Sequence, residues 1–122
     1  MRSTNSYFYR NTDFEILEKE LFSSGVKFEL LKDKKVIGRA YLYLIKNDLH
    51  SEPYGLLEDV FVEEKFRGQG IGKKLVEMVI KKARKLGCYK LIATSRFERE
   101  NVHKFYEKLG FQKYGYEFRI DF

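Results

Sequence analysis

Leu57-Glu58-Asp59-Val60-Phe61-Val62, followed by Arg67-Gly68-Gln69-Gly70-Ile71-Gly72-Lys73-Lys74, is the stretch on which the fold turns. Its first part is an apolar strand end. Its second part places three glycines at alternate positions before an amphipathic run. Glycines at such a strand-to-helix junction let the backbone turn tightly and leave no Cβ between main chain and ligand. The helix that follows offers unpaired N–H groups and the positive end of its dipole. The stretch therefore reads as an anion site, with Lys73 and Lys74 adding charge.

Downstream, Ile71, Leu75, Met78, Val79, Ala83 and Leu86 recur at helical steps, and Gly87 closes the helix. Lys81-Lys82-Ala83-Arg84-Lys85 is read as the wet face of that helix. Tyr89 to Thr94 reads as a strand. Val102, Phe105 and Leu109 mark a second helix, ended by Gly110. Phe111 to Asp121 is expected to supply one or two last strands, broken near Gly115.

Upstream, Tyr54 to Val62 is a strand. Val26 to Leu31 and Val36 to Lys46 form a hairpin around the polar turn Lys32-Asp33-Lys34-Lys35. Ser6 to Arg10 is a short aromatic strand. Thr12-Asp13-Phe14-Glu15 reads as a capping box, with Phe14, Leu17 and Leu21 at helical spacing, so a helix is expected from Thr12 to Ser23 and can end at Gly25. The expected order is β-α-β-β-β-α-β-α-β(-β). Strand, helix and strand from 54 to 94 make a parallel crossover. The expected class is α+β (mixed α/β), a central mixed sheet flanked by helices.

The chain has 122 residues, enough for one small core, and no linker divides it, so 1–122 is read as a single domain. Its formal net charge of +6 suits an anionic partner without separating nucleic acid from a small phosphorylated molecule. Cys88 is the only cysteine, which excludes an intrachain disulfide and fits either a reducing cytosol or a fold that needs no staple; a cytoplasmic protein is expected. No apolar run reaches membrane-spanning length. A nucleophilic role for Cys88 is not favoured. His50, His103 and Cys88 have no metal-ligand spacing, so no metal is expected.

Three phosphate-binding patterns compete for the glycine turn. A dinucleotide fingerprint fails because Lys73 stands where its last glycine belongs. A P-loop fails at Arg67 and Lys74. R-x-x-G-x-G remains, met by Arg67, Gly70 and Gly72. Placed after the 57–62 strand, it resembles the acetyl-CoA signature of the GNAT superfamily of N-acetyltransferases. Asn101-Val102-His103-Lys104-Phe105-Tyr106-Glu107-Lys108-Leu109-Gly110-Phe111 resembles the second hallmark of that family, N-x-x-x-x-F-Y-x-x-x-G-F. The likeness covers roughly residues 54–118. Gly87-Cys88-Tyr89-Lys90 with Phe105 to Phe111 is similar, more weakly, to the glucosamine-phosphate N-acetyltransferase branch.

The resemblance implies a GNAT-like acyl-CoA N-acyltransferase fold, with its N-terminal helical region shortened to one helix. It implies acetyl-CoA as cosubstrate and direct attack by an amine on the thioester, with no covalent enzyme intermediate. The turn Arg67, Gly68, Gln69, Gly70, Ile71, Gly72 and Lys73 would hold the pyrophosphate. Phe61 and Val62 would pair through their backbones with the pantetheine arm, as an added strand does. Asn101 would bind the same arm, or cap its helix. Tyr106 would be the general acid at the departing sulfur. Glu58 would be the base, with Asp59 the alternative, because strand alternation puts Glu58, Val60 and Val62 on one face and Asp59 and Phe61 on the other.

The expected partners are acetyl-CoA and an amine acceptor: a small molecule, an amino sugar, or a peptide reached through the open N-terminal side. A homodimer is possible; a membrane and nucleic acid are not favoured. The competing classes are a non-catalytic coenzyme A sensing module and a basic nucleic-acid-binding domain.

Overall fold

The computed structural model describes residues 14–122 in full and the backbone of 6–10. β1 (Ser6–Arg10) pairs antiparallel with β2 (Glu15–Lys19) in a separate two-stranded sheet. β3 (Ser24–Lys32), β4 (Lys35–Ile45), β5 (Tyr54–Val62) and β6 (Leu91–Ala93) form a sheet in sequence order. A 3₁₀ turn at Glu64–Phe66 leads into α1 (Ile71–Lys85), and α2 (Glu100–Lys108) follows β6. β3–β4 and β4–β5 are antiparallel, whereas β5–β6 is parallel. The class is therefore α+β with a mixed sheet. The order is β-β-β-β-β-α-β-α.

The core lies between α1 and one face of the sheet. Leu75, Val76 and Val79 of α1 are fully buried, and Ala83 nearly so. They meet Ala40, Leu42 and Leu57 from β4 and β5. Gly38 of β4 lets the helix come close: a Cβ there would stand 3.0 Å from Leu75 Cδ1. The last turn of α1 carries Lys82, Arg84 and Lys85, which suits the negative end of its dipole.

Two expected elements are corrected. Glu15–Lys19 is a strand and not part of a helix, and Gly25 sits inside β3. The capping role of Thr12 falls outside the described residues. Phe14, Ile16, Leu17 and Leu21 are exposed. A short helix needs an apolar face to bury, and these residues have none. Pairing with the strand-prone Ser6–Arg10 gives the segment a full ladder instead. The N-terminal helix expected from Thr12 to Ser23 is thus absent among the described residues.

The second correction concerns Phe111 to Asp121, which forms no strand. Its composition suits a strand, but a strand exists only through ladder partners. The three-residue β6 has no ladder with it. The strand expected from Tyr89 to Thr94 is likewise reduced to Leu91–Ala93. Among the described residues no helix is long and apolar enough to cross a membrane.

Candidate active site

β5 and β6 run together only briefly. Their parallel ladder pairs Gly55, Leu56 and Leu57 with Leu91, Ile92 and Ala93. Beyond Leu57, β5 continues to Val62 with no described strand on its β6 side. The gap opens into a cavity of about 1170 Å³. One wall is Leu57 to Val62, one end is the glycine turn, and the opposite wall comes from Thr94 to Arg99 and from α2.

A bulge sets which side chains face the cavity. Tyr41 of β4 pairs with Glu58, and Arg39 pairs with Phe61, so an extra residue lies between them on β5. Asp59 takes the strain, with φ 47°. Arg39 and Tyr41 share a face of β4, so Glu58 and Phe61 share a face too. Simple alternation, which separates Glu58 from Phe61, is corrected here. The Arg39 guanidinium lies 4.6 Å from the Phe61 ring centroid on that face. Val62 pairs with Gly38 on the α1 face. Glu58 and Asp59 both line the cavity; Glu58 is half-buried and Asp59 exposed.

The glycine turn is built for an anion. Gly68 and Gly70 both have φ 79°, the left-handed region that glycine enters without strain. A Cβ at either would meet nothing within 4 Å, so the requirement is conformational. Gly70 caps α1 with no side-chain hydrogen bond, and the first turn carries no acidic residue. Its N–H groups therefore remain available at the positive end of the dipole. Arg67 Nε donates to the Val62 carbonyl at 2.9 Å, tying the turn to the end of β5. Gly72 is different: it is helical and packs near Phe105 and Val62. Gly70→Ala should therefore cost about 1–2 kcal/mol of stability, from the left-handed penalty. Gly72→Ala should be neutral or stabilising by up to about 1 kcal/mol. Thermal melts of the two variants test the distinction.

Tyr106 stands on the far wall, half-buried between Phe105 and Phe111, with ring centroids 5.5 and 5.2 Å away. Burial holds its hydroxyl above the ordinary value near 10, and the charge of Glu58 adds to the rise.

Of the residues singled out from sequence, the cavity lining gathers Glu58, Phe61, Val62, Arg67, Gly68, Gly70, Ile71, Gly72, Lys73 and Tyr106. Gln69 and Asn101 lie outside that lining and are exposed. Asn101 is also inside α2 and is not its cap, since the N-cap is Arg99. Sequence reasoning missed Arg96, Arg99, Glu117 and Arg119, which also line the cavity. The only signal for the first two was their place between β6 and α2. His103, read as outside the site, is half-buried, and its Nε2 bonds the Arg96 carbonyl at 2.8 Å. Burial raises the Cys88 thiol, which makes a thiolate there harder to form. Among the described residues no group of His, Cys, Asp and Glu is arranged to hold a metal ion.

Five cationic side chains (Arg67, Lys73, Arg96, Arg99, Arg119) and three acidic ones line the cavity. An elongated anionic cosubstrate fits this donor set: phosphates at the glycine turn, a linear arm along the unpaired edge of β5.

Residues 2–111 match the model of the Acetyltransferase (GNAT) family, and the chain belongs to that family. It is 42% identical over 67 residues to a glucosamine 6-phosphate N-acetyltransferase of Trypanosoma brucei brucei, covering 55% of this chain and 44% of the relative. It is 36% identical over 105 residues to a probable glucosamine 6-phosphate N-acetyltransferase of Drosophila melanogaster, covering 82% and 47%. The chain thus spans less than half the length of these two relatives. Among solved structures, an acetyltransferase of Trypanosoma brucei superposes with TM-score 0.73 at 33% identity, covering 80% of this chain and 69% of that one. The glucosamine-6-phosphate N-acetyltransferase of Arabidopsis thaliana gives TM-score 0.72 at 29% identity, covering 80% and 67%.

Proposed function

We propose that this chain is an N-acetyltransferase that moves an acetyl group from acetyl-CoA to a primary amine. The observation that carries the reading is that Glu58 and Tyr106 both line one cleft that ends at the glycine turn. Acetyl-CoA, when bound, supplies the activated acetyl group as a thioester. The turn from Arg67 to Lys73 holds its pyrophosphate through backbone N–H groups and cationic side chains. The free edge of β5 at Phe61 and Val62 orients its arm.

Glu58 removes a proton from the acceptor amine, directly or through one water. Tyr106 donates a hydrogen bond to the departing sulfur. An ordinary thiol ionises near 8.5, below this raised tyrosine, so Tyr106 stabilises the thiolate more than it fully protonates it. The donating form of Tyr106 exists below its raised pKa and is lost as pH rises through it. The kcat profile should therefore show no falling limb from Tyr106 until the pH passes 10. A limb centred well below that value, and abolished by Tyr106→Phe, would contradict the assignment.

For the acceptor we infer a phosphorylated amino sugar. The names of the relatives support it, and Arg96, Arg99 and Arg119 offer donors to a phosphate. The absence of an N-terminal helix among the described residues favours a second class, a peptide amine. A screen of amino sugars, their phosphates, small amines and peptides, read by release of free thiol, decides between them. Turnover restricted to peptides would overturn the sugar assignment. The unpaired Cys88 fits a cytoplasmic setting, which we propose as its location.

A further inference from the structure

The loop between β6 and α2 brings two arginines to the cleft and buries almost nothing of its own. Arg96, Phe97, Glu98 and Arg99 are all exposed. Arg96 and Arg99 nonetheless form part of the cleft wall. A loop with no buried side chain is held by its hydrogen bonds, and without them it opens locally at little cost. The start of α2 supplies no side-chain cap: its N-cap is Arg99, whose side chain makes no capping bond. The ring contact of Phe97 with Tyr116, at 5.9 Å between centroids, joins two exposed rings.

The firm tie comes from inside α2. His103 is half-buried, and its Nε2 lies 2.8 Å from the Arg96 carbonyl oxygen. A carbonyl oxygen only accepts, so Nε2 carries the proton and donates. The neutral ring does this as its Nε2–H tautomer, and the charged ring keeps the same donor. The Arg99 N–H reaches that oxygen at a longer 3.2 Å. The backbone N–H of His103 in turn donates to the Arg99 carbonyl at 3.1 Å. One residue thus grips the loop at both arginines, through its side chain at Arg96 and its main chain at Arg99. The main-chain bond survives a substitution; the side-chain bond does not.

Gripping the backbone matters because a guanidinium recognises phosphate through a fork of paired N–H donors. That geometry is kept only where the backbone bearing the arginine is fixed. His103 is not itself part of the cleft lining, so it acts through the loop.

We propose that His103 is a positioning residue for the acceptor. By binding the Arg96 carbonyl it holds Arg96 and Arg99 on the cleft wall. It thereby sets the preference for a phosphorylated amine over the same amine without its phosphate. The inference rests on the phosphorylated amino sugar proposed above as acceptor.

Steady-state kinetics of the full chain with glucosamine 6-phosphate and with glucosamine test it, in the wild type, His103→Phe and His103→Gln. Phenylalanine keeps a ring and removes the donor, whereas glutamine keeps an amide donor. His103→Phe should raise the KM for glucosamine 6-phosphate about tenfold, the scale of one lost hydrogen bond. Its kcat, its KM for acetyl-CoA and its KM for glucosamine should stay within about twofold, since the loss is confined to phosphate binding. His103→Gln should bring the KM back to within about threefold of the wild type by restoring the bond. Native-state hydrogen exchange gives a readout apart from turnover: the amides of residues 96–99 should exchange about tenfold faster in His103→Phe and near the wild-type rate in His103→Gln. A merely structural role would lower the melting temperature and shift all the kinetic constants together. Should His103→Phe fail to fold, His103→Ala removes the same donor without a ring to accommodate. A folded variant lacking the donor that keeps the wild-type preference for the phosphate would overturn the positioning role and leave the acceptor assignment standing. A wild-type chain that uses the two sugars equally, or neither, would overturn the acceptor assignment and the specificity role with it.

Discussion

Tyr106→Phe should lower kcat by about 100-fold, close to 2.7 kcal/mol of transition-state stabilisation, while the acetyl-CoA KM changes less than about threefold. The substitution deletes one hydroxyl and keeps the ring. That ring is what packs between Phe105 and Phe111, so the wall of the cleft stays as it is. The hydroxyl is protonated at neutral pH because burial and the nearby Glu58 charge both oppose its ionisation. It is thus available as a donor throughout the working range. The loss is placed at the lower end for acid catalysis because a thiolate is a good leaving group without help. Steady-state kinetics by thiol release measure both constants. An unchanged kcat would remove Tyr106 as the donor, and a raised KM at constant kcat would make it a binding residue.

Leu75→Ala should have the largest effect on stability, a loss of about 2–5 kcal/mol. For a chain of this size a loss near 3 kcal/mol corresponds to a melting temperature roughly 10–15 °C lower. Leu75 has 0% exposure and stands on α1 where the helix crosses β4 at Gly38. The close approach at Gly38 makes one wall around a truncated side chain backbone, which cannot collapse into the void. Four buried residues of α1 tie the helix to the sheet, and the glycine turn rides on its first residue. The variant should therefore also bind acetyl-CoA less tightly near its melting temperature. A shift under about 3 °C, or under 1 kcal/mol, would contradict the placement of Leu75 in the core.

How much of this was legible depended on whether the deciding partner lay nearby in sequence. α1 was legible because its apolar stripe and closing glycine are local signals. The hairpin of β3 and β4 was legible because one polar turn joins two strand-like runs. Phe14, Leu17 and Leu21 fit a helix equally well in isolation. Only their pairing with Ser6–Arg10 made the segment a strand, and no local pattern announces a ladder. The strand-like composition of Phe111 to Asp121 was visible, but not the lack of a strand beside it.

In the site, the glycine turn was readable from three residues, and Glu58 and Tyr106 from the motifs around them. The bulge at Asp59 was not, since no glycine or proline marks it; aspartate is one of the few side chains that tolerate a positive φ. Arg96 and Arg99 reach the cleft through the loop ahead of α2, and Glu117 and Arg119 through the irregular tail. Irregular backbone gives sequence patterns no period to reveal.

The glycine turn as a coenzyme A site is the central claim. The most direct test is the melting temperature of the chain titrated with acetyl-CoA, beside Arg67→Ala. The wild-type chain should gain about 2.7 kcal/mol at a hundredfold excess over Kd, with Arg67→Ala shifting the titration to higher ligand concentration. No stabilisation of the wild-type chain at millimolar acetyl-CoA would contradict the account.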